Sequence, residues 1–154
     1  MKIGIIVYSQ TGNTFSVARK LQEKLSAAGH TVKVERLTTV GGVTDPNKAK
    51  IEKLPDLSGY DALAFAGPVQ GFSLSHVMAN YMNQLPSLQG KKVVCFITKG
   101  LPMAMTGGNK AISQLKSACE SKGGIVAGTG MVFWGNKGRD NHINEVVEQL
   151  ARSF

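Results

Sequence analysis

The chain has 154 residues and a formal net charge of +8, and 42% of its residues are hydrophobic. This length predicts a single domain, 1–154, and the hydrophobic content excludes a disordered chain. The basic residues are spread along the chain without interleaved aromatic residues, and no apolar run approaches the ~18 residues of a membrane span. We therefore expect neither nucleic-acid binding nor a membrane span.

Hydrophobic runs typical of buried strands alternate along the chain with amphipathic stretches typical of helices. Strands are predicted at 2–9, 31–37, 61–66, 91–98 and 125–133. Helices are predicted around 17–28, 77–85, 111–119 and 143–150, with a further short helix at 46–54. This alternation predicts an α/β fold in which helices cover both faces of a parallel sheet.

The carboxyl ends of the predicted strands are the expected place for a ligand, because open parallel sheets bind ligands at that edge. The connecting loops at this edge cover 9–14, 68–75, 99–108 and 134–141. The unusual residues of the chain gather in these loops. The topology therefore selects a candidate site before any motif does.

The first of these loops has the composition of a phosphate-binding turn. It consists of Ser9, Gln10, Thr11, Gly12, Asn13 and Thr14. Its three hydroxyls can donate hydrogen bonds, its glycine allows a close turn, and the following helix directs its positive end at the loop. The alternative is that one hydroxyl simply caps the helix, since Ser, Thr and Asn are favoured there.

The cysteines and histidines of the chain form no catalytic or metal-binding motif. Cys95 and Cys119 lie in an apolar run and a helical pattern, which is typical of reduced structural thiols. His30, His76 and His142 are scattered, and no metal-ligand spacing is present, so no catalytic residue and no metal site are predicted. The first residues run directly into a strand without a secretory signal pattern, so we expect a cytoplasmic protein.

The first loop resembles the phosphate signature of flavodoxins. The run from Ser9 to Thr14 matches the pattern S/T-x-T-G-x-T and follows an amino-terminal strand, as in that family. The resemblance covers essentially the whole chain, whose length is that of a short-chain flavodoxin. It implies a flavodoxin-like three-layer α/β/α sandwich with a five-stranded parallel sheet of order 2-1-3-4-5, about five helices, and non-covalent FMN as cofactor.

The resemblance also implies that two further loops hold the flavin. The third-strand loop would lie along the ring with Pro68, Val69, Gln70, Gly71 and Phe72. Gly71 is the expected contact of flavin N5, because a peptide flip there needs backbone angles that glycine reaches easily. Phe72 is either a stacking partner of the ring or an aromatic packed on the following helix. The fourth-strand loop would contribute Thr98, Lys99, Gly100, Gly107 and Gly108.

The chain departs from familiar electron-transfer flavodoxins around this site. Those proteins usually carry an aromatic residue in the fourth-strand loop and acidic residues around the flavin. Here the loop has Met103 and Met105, which could cover the ring, and there is no Asp or Glu between Pro68 and Lys110. Trp134, at the end of the fifth strand, is assigned no role.

The resemblance implies an electron carrier that shuttles electrons between redox partner proteins, and the basic charge favours acidic partners. The protein would act as a monomer or a dimer. One alternative is an NAD(P)H-dependent FMN or quinone reductase, since a basic surface could attract phosphorylated nicotinamides. Another is an accessory flavodoxin that matures a partner enzyme. An electron carrier is favoured over a stand-alone enzyme because the sequence has no acid–base constellation.

Overall fold

A computed structural model describes residues 1–41, 50–100 and 106–154. The strands are β1 (Lys2–Val7), β2 (Thr31–Arg36), β3 (Ala62–Gln70), β4 (Ser73–Leu74), β5 (Lys92–Lys99) and β6 (Ile125–Phe133). The helices are α1 (Asn13–Ala27), α2 (His76–Met82), α3 (Gly108–Ser121) and α4 (Arg139–Ala151).

The strands pair in the order β2-β1-β3-β5-β6, and every neighbouring pair in this order is parallel. The short β4 lies off this path and pairs antiparallel with β3. When β4 is left out, the order is the predicted 2-1-3-4-5. The predicted flavodoxin-like three-layer architecture is therefore confirmed.

The central strands are hydrophobic throughout because both of their faces are covered. Successive side chains of a strand point to opposite sides of the sheet. Leu63 and Phe65 of β3 belong to a core that includes Met78 of α2, whereas Ala64 belongs to a second core that includes Val17 of α1. The two cores hold α2 and α3 on one side of the sheet and α1 and α4 on the other.

The segment between β2 and β3 differs from the prediction. Residues 50–54 are not helical; Ile51 forms an antiparallel bridge with Thr39, and the Val40 amide donates to the Lys50 carbonyl at 2.8 Å. The backbone here pairs with the extension of β2 instead of with itself. The rest of the predicted helix, 46–49, lies outside the described residues. Within 1–41, 50–100 and 106–154 the helices number four, not about five.

The third strand, β3, was predicted to end at residue 66, before Gly67 and Pro68, but it is longer. It continues to Gln70, and Pro68 pairs with Thr98 of β5. A proline is tolerated here because β1 ends opposite Ala66, so no neighbour on that side needs a donated hydrogen bond. The Pro68 carbonyl instead accepts from the Ser75 amide at 2.9 Å, which closes the β3–β4 hairpin.

Among the described residues, no helix is both long enough and apolar enough to cross a membrane.

Candidate functional site

The first loop turns sharply between β1 and α1. Gly12 stands at the helix N-cap position with a φ of 95°, in the left-handed region that glycine adopts at little cost. Its amide donates to Ser9 Oγ at 3.1 Å, so the Ser9 hydroxyl shapes the turn. The loop therefore has the close backbone turn that the sequence predicts.

The amino-terminal end of α1 exposes backbone amides that donate no hydrogen bond within the described part of the chain. No side chain caps the helix, and its first turn has no acidic residue. The amides of Asn13, Thr14 and Phe15 form no hydrogen bond with another residue in the described part of the chain. The alternative in which a hydroxyl caps the helix is thus wrong, and the donor set suits an anion.

A buried hydroxyl pair connects the first loop to the end of β5. Thr14 Oγ1 and Thr98 Oγ1 lie 2.7 Å apart, and the two residues are only 1% and 3% exposed. Each hydroxyl is the partner that the other needs in a buried position. This bond fixes the start of α1 against the strand that carries the next loop of the site.

Arg36 contacts the first loop from outside the cleft, and no motif in the sequence indicated this contact. Its Nη2 donates to the Ser9 carbonyl at 2.8 Å, and its guanidinium lies 4.8 Å from the centre of the Phe15 ring. The available signal was its place at the carboxyl end of β2, beside the first strand. Arg36 brings a positive charge to a loop that has no cation of its own.

The turn between β3 and β4 has an unusual backbone. Both of its central residues have positive φ, 60° at Gly71 and 64° at Phe72. Such a conformation suits glycine, but at a phenylalanine it is uncommon and costs energy. The Phe72 side chain is 69% exposed, so the alternative that it packs on the following helix is wrong. Its stacking on a flavin stays a prediction.

The loop between β5 and α3, which corresponds to the predicted fourth-strand loop, contacts this turn through Gly107. Gly107 precedes α3 with a φ of 103°, and a Cβ at this position would lie 2.6 Å from the Phe72 carbonyl carbon. Only a residue without a side chain allows the two backbones to approach so closely. The intervening residues 101–105, including the predicted ring-covering Met103 and Met105, lie outside the described residues.

Lys99 is buried where β5 ends. It is 5% exposed, its Nζ donates to Thr106 Oγ1, and Nζ lies 5.8 Å from the centre of the Phe133 ring. Removal from water lowers the pKa of the Lys99 ammonium below its ordinary value. Lys99, which the sequence analysis assigned to the flavin-binding loops, is therefore buried at the end of β5.

Trp134 closes the site on the side of β6. Its amide donates to the Lys99 carbonyl at 2.7 Å, and the next amide, of Gly135, donates to the Gly100 carbonyl at 3.0 Å. The Arg139 guanidinium lies 4.8 Å from the indole, and its Nη1 donates to the Trp134 carbonyl at 3.1 Å. The sequence feature that could have indicated this role of Trp134 is its position directly after the last strand.

Two adjoining clefts of about 180 and 200 Å³ open between these loops and share Val69, Lys99 and Gly100. The first is lined by Gln10, Thr11, Asn13, Thr14, Pro68, Val69, Gln70, Thr98, Lys99, Gly100 and Trp134. The second is lined by Val69, Gly71, Phe72, Lys99, Gly100 and Thr106. Together they exceed the ~300 Å³ at which small-molecule sites begin.

Most of the predicted residues are thus brought together at one edge of the sheet. Four of them are not among the lining residues: Ser9 and Gly12 shape the first turn, and Gly107 and Gly108 form the start of α3. The described lining residues include no Asp, Glu or His. No group of three or more metal-ligating side chains occurs in the described ranges.

The strand order, together with a cleft at the ends of β1, β3 and β5, defines the flavodoxin-like fold. The flavodoxin of Streptococcus pneumoniae TIGR4 is similar over 100% of both chains, with a TM-score of 0.70 and 21% identity. The two-electron reduced flavodoxin of Megasphaera elsdenii is similar over 97% of this chain and 98% of that one, with a TM-score of 0.65 and 22% identity.

A third similar structure is a flavoprotein from Lactobacillus acidophilus NCFM in complex with FMN. The likeness covers 94% of this chain and 97% of that one, with a TM-score of 0.64 and 16% identity. No protein-family model and no curated protein matches the sequence. At these identities the likeness establishes the fold alone.

Proposed function

We propose that this protein binds one FMN, with the phosphate at the amino-terminal end of α1. The observation that carries the proposal is that the amides of Asn13, Thr14 and Phe15, at a helix end without a capping side chain, have no hydrogen-bond partner among the residues the structure describes. Thr11 lines the cleft beside them. Helix-terminal amides and neutral hydroxyls suit a phosphate, and Arg36 adds a positive charge behind the loop.

The isoalloxazine ring would occupy the two adjoining clefts. Trp134 and Val69 offer apolar contacts in the first cleft, and Gly71 and Phe72 form the wall of the second. FMN supplies one- and two-electron redox chemistry when bound, and the chain supplies binding and charge. The similar flavoprotein solved with FMN supports FMN as the ligand.

The function that we infer for the complex is electron transfer between partner proteins in the cytoplasm. The described residues of the clefts offer no acid or base other than Lys99, which favours a carrier over an enzyme that moves protons on a substrate. The formal charge of +8 favours acidic partners, and the protein would be a monomer or a dimer. Two cysteines that both remain thiols suit a reducing compartment.

Binding is tested by titrating the apoprotein with FMN and with riboflavin, which lacks the phosphate, and following flavin fluorescence. Two charge-assisted hydrogen bonds of ~1.5 kcal/mol each correspond to a roughly 100-fold preference for FMN. Thr11→Val should weaken FMN binding severalfold and leave riboflavin binding unchanged. Ser16→Ala is the control, because the Ser16 hydroxyl bonds the Asn13 carbonyl at 2.8 Å and does not line the cleft. Equal affinity for both flavins would refute the phosphate assignment.

The carrier function is tested by steady-state kinetics with NADH and NADPH. We expect no turnover with either nicotinamide, and rapid reoxidation of the reduced protein by one-electron acceptors. Anionic ferricyanide should react faster than cationic hexaamminecobalt at low salt, and the difference should shrink as salt screens the basic surface. Sustained turnover with NADPH would instead establish the reductase alternative.

A further inference from the structure

Lys99 is a cation placed at the junction of the two clefts. Its side chain is only 5% exposed, yet it is among the few residues that line both cavities. Lysine is almost never buried to this degree without a specific environment that holds it. Its place in the fold therefore calls for an explanation beyond packing.

The surroundings of Lys99 hold its ammonium in a defined position. Nζ donates to Thr106 Oγ1 in the turn before α3 and lies 5.8 Å from the ring of Phe133 in β6. The Lys99 carbonyl accepts from the Trp134 amide at 2.7 Å, so the backbone of the residue is fixed as well. A charge that is ordered before a ligand arrives needs little reorganisation to act on it.

The electrostatic environment of the clefts is positive. None of their described lining residues is a carboxylate, and the sequence has no Asp or Glu between Asp61 and Glu120. Because the position is largely removed from water, charge interactions there are stronger than at the surface and are weakly screened by salt.

We propose that Lys99 makes this site bind two-electron-reduced FMN more tightly, relative to oxidised FMN, than a neutral residue would. The inference rests on the proposed FMN site. Two electrons from a redox partner and one proton from solvent convert the neutral oxidised ring into a monoanion, so the ring gains one negative charge while the phosphate is unchanged. A fixed cation beside the ring therefore favours the reduced form selectively.

The expected effect is at least tenfold. A unit charge a few ångströms from another at a partly buried position changes an ionic equilibrium by roughly 10- to 100-fold. For a two-electron couple, each tenfold change in the ratio of the two affinities moves the midpoint potential by about 30 mV. Lys99→Met should therefore make the potential of bound FMN more negative by ~30–60 mV.

The test compares affinities for oxidised and dithionite-reduced FMN under anaerobic conditions, together with the midpoint potential of the complex. Lys99→Met and Lys99→Gln remove the charge, and the glutamine can still donate to Thr106. Lys99→Arg retains the charge, and Lys116→Met removes an exposed lysine on α3 as the control. Urea denaturation of each apoprotein verifies that it folds.

The expected result is an at least tenfold fall in the ratio of reduced-FMN affinity to oxidised-FMN affinity in both neutral variants, with little change in this ratio in Lys99→Arg and Lys116→Met. An equal loss of affinity for both redox states would overturn the inference, because it would place the effect on the phosphate or the fold. An unchanged ratio would overturn it as well. A wild-type chain that binds neither form would refute the proposed function itself, which is a distinguishable failure.

Discussion

Replacing Gly107 by alanine should destabilise the apoprotein by about 2–5 kcal/mol. The left-handed backbone, with a φ of 103°, costs an L-residue ~1–2 kcal/mol. The added methyl would also lie 2.6–2.7 Å from three backbone atoms of Phe72, which cannot move aside as a flexible side chain can. Forcing an atom into such a position typically costs a further ~1–3 kcal/mol.

Gly29→Ala separates these two contributions. Gly29 has a similar φ of 95°, but a Cβ there would meet nothing within 4 Å, so only the ~1–2 kcal/mol of backbone strain applies. Urea denaturation of the two variants gives the difference directly, and in a domain of this size each 1 kcal/mol lowers Tm by ~2–4 °C. Equal losses in both variants would show that the Phe72 turn does not rest against Gly107 in solution.

Three further changes test other contacts of the same molecule. Thr14→Val leaves the buried Thr98 hydroxyl without its partner, and should cost about 1–3 kcal/mol in urea denaturation, whereas the double valine variant should cost less than the sum of the singles. Phe72→Gly relieves a φ of 64° and should leave stability unchanged or raise it by up to ~1 kcal/mol, while FMN affinity, measured by fluorescence, falls; a clear loss of stability would contradict the strain. Hydrogen bonds from Ser58 lower the pKa of the Asp56 carboxyl below its ordinary value of 3.8. These bonds therefore stabilise the fold above pH ~4, and their contribution is lost as the pH falls through the lowered pKa. Ser58→Ala should therefore unfold more easily than wild type at pH 7, and the difference should shrink as the pH falls through the lowered pKa of Asp56; a difference that persists unchanged in acid would exclude this linkage.

The strands themselves were predictable because local patterns carry most of the information about them, whereas their order was implied by the resemblance to flavodoxins. A strand such as β3 that is buried on both faces must be hydrophobic at every position. Such a hydrophobic run can be recognised in the sequence without knowing which strands lie next to it. The extension of β3 through Pro68 was not visible, because a proline is acceptable there only where β1 has already ended. That condition depends on strand pairing and not on the adjacent sequence.

The candidate site also has a part that the local sequence predicts and a part that depends on strand pairing. The first loop is a local motif, so its residues could be located from the sequence. Arg36 and Trp134 approach the site only because their strands flank the strands that carry the loops. Lys99 was found, but its burial was not, since that burial depends on the position of Thr106 at the end of the following loop and on Phe133, which pairs with Lys99 from the neighbouring strand β6.

The hydroxyl bond between Thr14 and Thr98 joins residues 84 positions apart, and this separation has a consequence for folding. The first loop can be formed locally, but its attachment to β5 must wait until β3 has been inserted between β1 and β5. Contacts of such high sequence separation form slowly and are lost when the sheet comes apart. The complete site is thus a property of the assembled chain, so retention of the cofactor would report on global unfolding and not on fraying of one loop.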